Sequence, residues 1–266
     1  KINYLYDLIT VLSWAGQHQE AVQRAEKLDL SNAPSYVLDN LAKSARSSGH
    51  YPLAEKLYRT LLGRDAKNWQ AYVGLAFTLA DSQRTKESIA LLNDVQTAFP
   101  VTDQDGQQSL KRAQEYVAQR HIQQTEAQYR AILDRARAGH PRDALPYLRQ
   151  QLQQHPEETR YRYDLITVLD WASQDQEAIQ LGGSLDRQTT PSYVLLSVAK
   201  AARNTRDYAL AIALYQAILH REPNNRQAQA GWALALSDNQ QPDQALRWLN
   251  IWLKTIPAAQ SADRKP

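Results

Sequence analysis

Aromatic side chains stand beside carboxylates in a short stretch that occurs twice in the chain. Residues Tyr6 to Trp14 read YDLITVLSW, and 157 positions later residues Tyr163 to Trp171 read YDLITVLDW. A carboxylate next to an aromatic face suits a cationic amine, through charge attraction and cation–π attraction. The same groups suit a sugar ring, which stacks its C–H face on the aromatic ring while polar groups take its hydroxyls. The alternative is that these aromatics pack between helices.

Both stretches belong to predicted helices. Leu5, Leu8, Ile9 and Leu12 recur at helical spacing, and similar apolar stripes continue along the whole chain. No useful length of sequence alternates with the period of two that a strand requires. Clusters of Gly, Asn, Asp and Ser break pairs of helices at regular intervals, and prolines lie between the pairs. The sequence therefore predicts an all-α protein.

The helix pairs repeat about every 34 residues, which is the tetratricopeptide (TPR) pattern. Seven units fit it, at about 2–34, 35–68, 69–102, 125–158, 159–191, 192–225 and 226–259. Each has a small residue in its second helix, which lets the two helices approach closely. These anchors are Ala21, Ala54, Ser88, Ala144, Ala178, Ala211 and Ala245.

The segment at about 103–124 does not fit a repeat. We expect one long helix from Gln107 to about Ala138, in preference to a helix pair with a break between Arg120 and Thr125. The predicted architecture is a right-handed TPR solenoid with a long connecting helix near the middle. Its parts are a first block at 1–102, a linking helix at 103–138, a second block at 125–259 and a tail at 260–266.

The first helices of the repeats line the concave groove of a TPR stack. The pairs Lys43/Arg46 and Lys200/Arg203 offer a second kind of site, the carboxylate clamp with which peptide-binding TPR domains hold a chain terminus. The predicted polymer- or partner-binding groove comprises Tyr6, Asp7, Trp14, Tyr36, Asp39, Lys43, Arg46, Asp81, Tyr163, Asp164, Asp170, Trp171, Tyr193, Lys200, Arg203 and Asp238.

Other chemistry finds little support in the sequence. The chain has no cysteine, and its six histidines lack partners at the spacing of a metal site. It contains no phosphate-binding glycine loop and no nucleophile elbow. The net charge is only +3, without a long basic run, and no apolar run approaches the roughly 20 residues of a membrane helix. We predict no enzyme activity, no cofactor, no metal and no nucleic-acid partner.

Three segments resemble one family over most of the chain. They are Tyr163–Ala172 with the following turn, Tyr129–Gly139 with the helix after it, and the turn ending at Asp238. They are similar to the periplasmic TPR region of the outer-membrane porins that export poly-β-1,6-N-acetylglucosamine (PNAG). TPR proteins of cellulose export share the Trp-Ala-Gly-Gln turn, which here begins at Trp14.

The resemblance implies a periplasmic scaffold of an exopolysaccharide export system. Such a scaffold docks the polymer deacetylase and guides partly deacetylated, cationic polymer, and it meets the membrane only through a barrel domain that this chain lacks. A generic peptide-binding TPR adaptor and the TPR part of a cellulose-type export protein are the alternatives. Because the chain begins at Lys1 inside an apolar-periodic segment, we expect it to be a piece of a longer protein.

Overall fold

The computed structural model of the protein describes residues 2–98 and 104–255. Within these ranges all regular secondary structure is helical, which confirms the predicted all-α fold. The predicted tail at 260–266 lies outside the described residues. The helices are α1 (Ile2–Trp14), α2 (His18–Ala25), α3 (Ser35–Ser47), α4 (Tyr51–Arg64), α5 (Trp69–Asp81), α6 (Thr85–Ala98), α7 (Gln104–Arg137), α8 (Pro141–Gln154), α9 (Thr159–Trp171), α10 (Asp175–Gly182), α11 (Ser192–Asn204), α12 (Tyr208–Arg221), α13 (Arg226–Asp238) and α14 (Pro242–Thr255).

The helices form two compact units, Lys1–Tyr129 and Arg130–Pro266. The first unit contains the hairpins α1/α2, α3/α4 and α5/α6, followed by most of α7. The second contains the end of α7 with α8, followed by α9/α10, α11/α12 and α13/α14. Each unit is a stack of TPR hairpins, in which helices pack on their hairpin partners and on the next hairpin. The predicted block boundaries remain a prediction.

Each of the seven hairpin turns is closed by the same backbone motif. After α3, for example, Gly49 has a φ of 80°, its N–H donates to Arg46 O, and the N–H of His50 donates to Ala45 O. This pair of bonds is the Schellman motif, which satisfies carbonyls at a helix end. The turns lie where the sequence predicts them. The left-handed residues are Gly16, Gly49, Gln83, Gly139, Ser173, Arg206 and Gln240.

The small anchor residues predicted in the second helices are all buried, with at most 4% of their surface exposed. Tyr58 and Tyr215 follow two of these anchors and are also buried. Their rings lie against Gly74 and Gly231 of the next hairpin, where an added Cβ would overlap the ring. Small residues on one hairpin and large ones on its neighbour therefore set the close packing between repeats.

The long helix α7 runs without a break from Gln104 to Arg137, as the preferred prediction stated. Its residues Leu110, Ala113 and Val117 pack against α5 and α6. The polar middle of α7 is bonded to α6, because Thr85 Oγ1 donates to Gln124 Oε1 over 2.8 Å. The composition of this segment did not predict that contact. None of the described helices is both long enough and apolar enough to cross a membrane.

Two arginines hydrogen-bond to the longest loops within the units. The helices α2 and α10 have only eight residues each, so a loop must lead from each to the next hairpin. Arg221 of α12 donates to the carbonyls of Arg187, Gln188 and Thr190 over 2.7 to 3.0 Å. Arg64 of α4 occupies the matching place in the first unit and donates to two loop carbonyls. These loops are held by side-chain donors in place of helical bonds.

Candidate ligand-binding groove

The second unit contains a groove of about 840 Å³ between α9, α11, α13 and the end of α7. Six of the eight residues predicted for this half line it. They are Asp164, Asp170, Trp171, Tyr193, Lys200 and Arg203.

Two predicted residues of this half do not line the groove. Tyr163 packs against the hydrophobic core of the second unit. Asp238 lies at the margin, where its Oδ2 is 3.5 Å from Arg203 Nε.

The helical repeat explains why these side chains meet. Residues three and four apart share one face of a helix, so Asp164, Thr167 and Trp171 project from α9 towards the same side. Tyr193 and Lys200 lie two turns apart on the corresponding face of α11. The opposite face of α9 is buried, since Leu165 and Leu169 have at most 1% of their surface exposed.

The two aromatic rings of the groove are accessible. Trp171 is 39% exposed and Tyr193 is 50% exposed. Within the described part of the chain, neither side chain hydrogen-bonds to another residue, so the indole N–H and the phenol remain available to a ligand. Partial burial, followed by the nearby Asp164 carboxylate, raises the pKa of Tyr193, so its hydroxyl stays a neutral donor at physiological pH.

The charges of the groove are balanced. Lys200 Nζ lies 2.9 Å from Asp170 Oδ1, in an ion pair whose angles fall outside those of a hydrogen bond. Arg203 pairs with Asp238, and Arg137 Nη1 lies 3.2 Å from Asp134 Oδ1. Three cations and two carboxylates line the groove, so it is not acidic.

The equivalent residues of the first unit bond to one another. Trp14 Nε1 donates to Asn40 Oδ1 over 3.2 Å, and Tyr36 OH donates to Asp7 Oδ1 over 3.3 Å. Asn40 also donates to the carbonyl of Tyr36, which links the two pairs. Tyr6 lies in the core with 5% of its surface exposed, and its hydroxyl donates to a loop carbonyl. A ligand in this unit would have to displace these internal bonds.

Two differences between the copies change the partner of a lysine. In the first unit Lys43 donates to Asp39 of its own helix over 2.7 Å. At the position equivalent to Asp39 the second unit has Leu196, and Lys200 instead pairs across to Asp170 of the neighbouring α9. Asp170 takes the place of Ser13 of the first unit, and its carboxylate, 9% exposed, lies in the wall of the groove.

Asp81 of the first unit is the centre of a network that sequence reasoning found only in part. Arg46 Nε donates to Asp81 Oδ2 over 2.8 Å, and both residues were predicted to line the groove. Two unpredicted residues of α7 join it, because Arg120 lies 3.3 Å from Oδ1 and Tyr116 OH donates to the same oxygen. Tyr116 and Arg120 are four residues apart next to the apolar stripe of α7, so the sequence places them on one face of that helix.

Outside the groove, three side chains come within reach of a single metal ion. Ligand atoms of His155, Glu157 and Glu158 all lie within 4.8 Å of one another. Glu158 is already paired with Arg160 over 2.8 Å, and the two carboxylates are at the surface of a helix start. Exposed acidic groups at a helix N-terminus are stabilised by the helix dipole, so this cluster has an explanation without a metal.

Sequence comparison supports the repeats. Residues 40–101 and 198–262 match the profile of the Tetratricopeptide repeat family. A segment of 120 residues, 44% of this chain, is 30% identical to the poly-beta-1,6-N-acetyl-D-glucosamine export protein of Escherichia coli strain K12. The protein of the same name from Escherichia coli O157:H7 matches equally well. The matched segment spans 14% of the length of these relatives.

Several solved structures align over most of the chain at low similarity. MamA from AMB-1 is 13% identical, with 98% of this chain and 97% of that chain covered, and the TM-score is 0.32. The TPR2AB-domain:pHSP90 complex of yeast Sti1 is 14% identical, with coverage of 91% and 99% and a TM-score of 0.36. Similarities this low do not bear on function.

Proposed function

We propose that this chain is a non-enzymatic TPR scaffold of a bacterial exopolysaccharide export system of the PNAG type, acting in the periplasm. TPR stacks are a protein-interaction fold, and their repeats present extended binding surfaces. The observation that carries the specific proposal is the 120-residue match to PNAG export proteins. By this proposal the chain docks a periplasmic partner, the polymer deacetylase, and contacts the polymer itself.

The proposed polymer contact is the groove of the second unit. Trp171 and Tyr193 offer accessible rings there, with hydrogen-bonding groups that no described residue uses. Because the lining charges nearly cancel, charge attraction for a cationic polymer is weak in this groove. Stacking of sugar rings on the aromatics, with hydroxyls or acetamido groups bonded to the polar side chains, is the mode of contact that these residues favour.

A titration with β-1,6-linked glucosamine oligomers, partly N-acetylated, tests the polymer contact. An aromatic contact contributes about 0.5–1.5 kcal/mol beyond its buried area, so Trp171→Ala should raise Kd roughly two- to tenfold. The equivalent Trp14→Ala is the comparison variant. The Trp14 ring is 74% exposed, but its indole N–H is bonded to Asn40, so its loss should raise Kd less than the loss of Trp171. Circular dichroism should show the same helix content in both variants. Oligomers that bind Trp171→Ala as tightly as the unsubstituted chain would remove the polymer from the proposal.

The same titration separates the rival functions. Tighter binding of β-1,4-linked glucose oligomers would favour a cellulose-type export protein. The peptide-adaptor alternative requires Lys43/Arg46 or Lys200/Arg203 to hold a free carboxylate, yet each of these four cations already has a carboxylate partner. A peptide that binds only with a free C-terminus, and not as its amide, would favour the adaptor.

A further inference from the structure

The end of the second unit exposes a face that is covered in the first. In the first unit the face consists of one side of α5 and α6, and the first half of α7 packs on it through Leu110, Ala113 and Val117. The chain repeats itself at an offset of 157, so α13 and α14 present the equivalent face. Within residues 2–98 and 104–255, the two copies therefore show the same surface with and without a helix on it.

Burial differs between the copies at matching positions. Ala80 is 4% exposed, whereas its equivalent Ser237 is an exposed residue. Ile89 packs against the cluster beneath α7, whereas its equivalent Leu246 is 58% exposed. Leu234, the equivalent of the partly buried Phe77, is 50% exposed, and it also lines the groove. Large apolar residues on this face thus lack the cover that their counterparts have.

The polar margin of the face shows the same difference. The Asp81 side chain is 12% exposed and is held by Arg46 and by Tyr116 and Arg120 of α7. The equivalent Asp238 is 45% exposed, and its ion pair is with Arg203, the equivalent of Arg46, at 3.5 Å. The second copy has kept the acceptor and its first partner, and it has room for the groups that α7 supplies in the first copy.

We infer that the face formed by α13 and α14 is a docking surface for an amphipathic partner helix of the kind that α7 provides. Such a helix has apolar residues at the spacing of Leu110, Ala113 and Val117, and a Tyr and an Arg one turn apart that reach Asp238. The apolar stripe removes Leu246 and Leu234 from water, and the Tyr and Arg complete the bonds of the carboxylate. This inference does not depend on the proposed function, because it involves no polymer.

The test uses the full chain and a fluorescent peptide with the sequence of residues 104–124. In the chain α7 already covers the face on α5 and α6, so the added peptide should bind α13 and α14 with saturable anisotropy. Leu246→Asp should weaken binding roughly tenfold or more, because it places a charge where an apolar side chain docks. Asp238→Asn should also weaken it, and a peptide with Val117→Asp should not bind.

A matched control lies on the same helix. Ile251 is 64% exposed, and its equivalent Asp94 stays exposed in the first unit, so this position is outside the covered face. Ile251→Asp should therefore leave the affinity unchanged. Absence of saturable binding, or binding that Leu246→Asp does not affect, overturns the inference. So does a concentration-dependent dimer of the chain that excludes the peptide in sedimentation velocity, because it would assign the face to a second copy.

Discussion

At the scale of single residues, identical side chains act differently in the two copies because their neighbours differ. Trp14 bonds to Asn40, whereas the equivalent of Asn40 beside Trp171 is Ser197, which has a shorter side chain. Tyr36 bonds to Asp7, whereas Tyr193 keeps its hydroxyl unbonded within the described residues. A few substitutions around preserved, exposed aromatics thus decide whether their polar groups are bonded internally or are open to a ligand.

The hairpin turns allow a stability prediction at matching positions. Arg206 has a φ of 66°, and its equivalent Gly49 has a φ of 80°. A side chain in this region costs about 1–2 kcal/mol, partly offset by the lower entropy of the unfolded non-glycine chain. We expect Arg206→Gly to raise the free energy of unfolding by about 1 kcal/mol, and Gly49→Ala to lower it by a similar amount. Urea denaturation of the two variants measures both changes, and a less stable Arg206→Gly would contradict this account of the turn.

The glycine beneath Tyr215 gives a second prediction. Gly231→Ala should lower the free energy of unfolding by about 1–3 kcal/mol, because the new Cβ overlaps a buried ring. Gly63 is the control, since it also lies in a helix but has nothing within 4 Å of an added Cβ. Gly63→Ala should raise stability by up to about 1 kcal/mol through helix propensity. Thermal denaturation of both variants measures the two changes. Equal changes in stability would show that helix propensity alone, without the overlap with the ring, accounts for both substitutions.

At the level of elements, the helices and their hairpin turns follow local signals, but the long loops after α2 and α10 do not. Hairpin turns lie where Gly, Asn, Asp and Ser interrupt the apolar stripes, and the anchors are buried as their spacing predicts. The loops after α2 and α10 depend on Arg64 and Arg221, which come more than 30 residues later in the chain. No sequence pattern within these loops predicts an arginine donor so far along the chain.

The bonds from Arg221 to the loop after α10 are testable by a substitution that keeps the charge. Arg221→Lys removes the planar donor that serves three carbonyls at once, because an ammonium cannot reproduce this geometry. We expect a loss of about 1–2 kcal/mol in the free energy of unfolding, from hydrogen bonds of roughly 0.5–1.5 kcal/mol each. Amide hydrogen exchange in residues 187–190 should also accelerate. Arg162→Lys, where the arginine makes no side-chain bond to a described residue, should change neither quantity.

At the level of the whole molecule, the chain consists of two units, and each contains a hydrophobic cluster. Stability in repeat proteins is approximately a sum of repeat terms and nearest-neighbour terms, so a local defect should act mainly within its own unit. We expect Gly231→Ala to accelerate amide exchange in α11 to α13 and to leave α3 and α4 nearly unchanged. Hydrogen–deuterium exchange with mass spectrometry measures this, and equal acceleration in both units would mean that they unfold as one.

The class of fold follows from the sequence alone, because helical periodicity, small anchors and turn residues are properties of short segments. The spacing of Ala21 to Ala245 predicts the repeats, and α7 is continuous as its apolar stripe indicates. The same fit predicts Trp171, Tyr193 and Lys200 for a groove, and they line one. The assignment of ligand and partner to that groove remains a prediction.

Which of these residues are accessible and which are already bonded depends on how the helices pack together. This packing buries Tyr6, bonds Trp14 to Asn40, pairs Lys200 with Asp170, and places Tyr116 and Arg120 of α7 next to Asp81. The physical reason is that a hydrogen bond or ion pair depends on distances of about 3 Å between atoms remote in sequence. Periodicity assigns a residue to a face of its helix, and the packing of the neighbouring helix decides what that face meets.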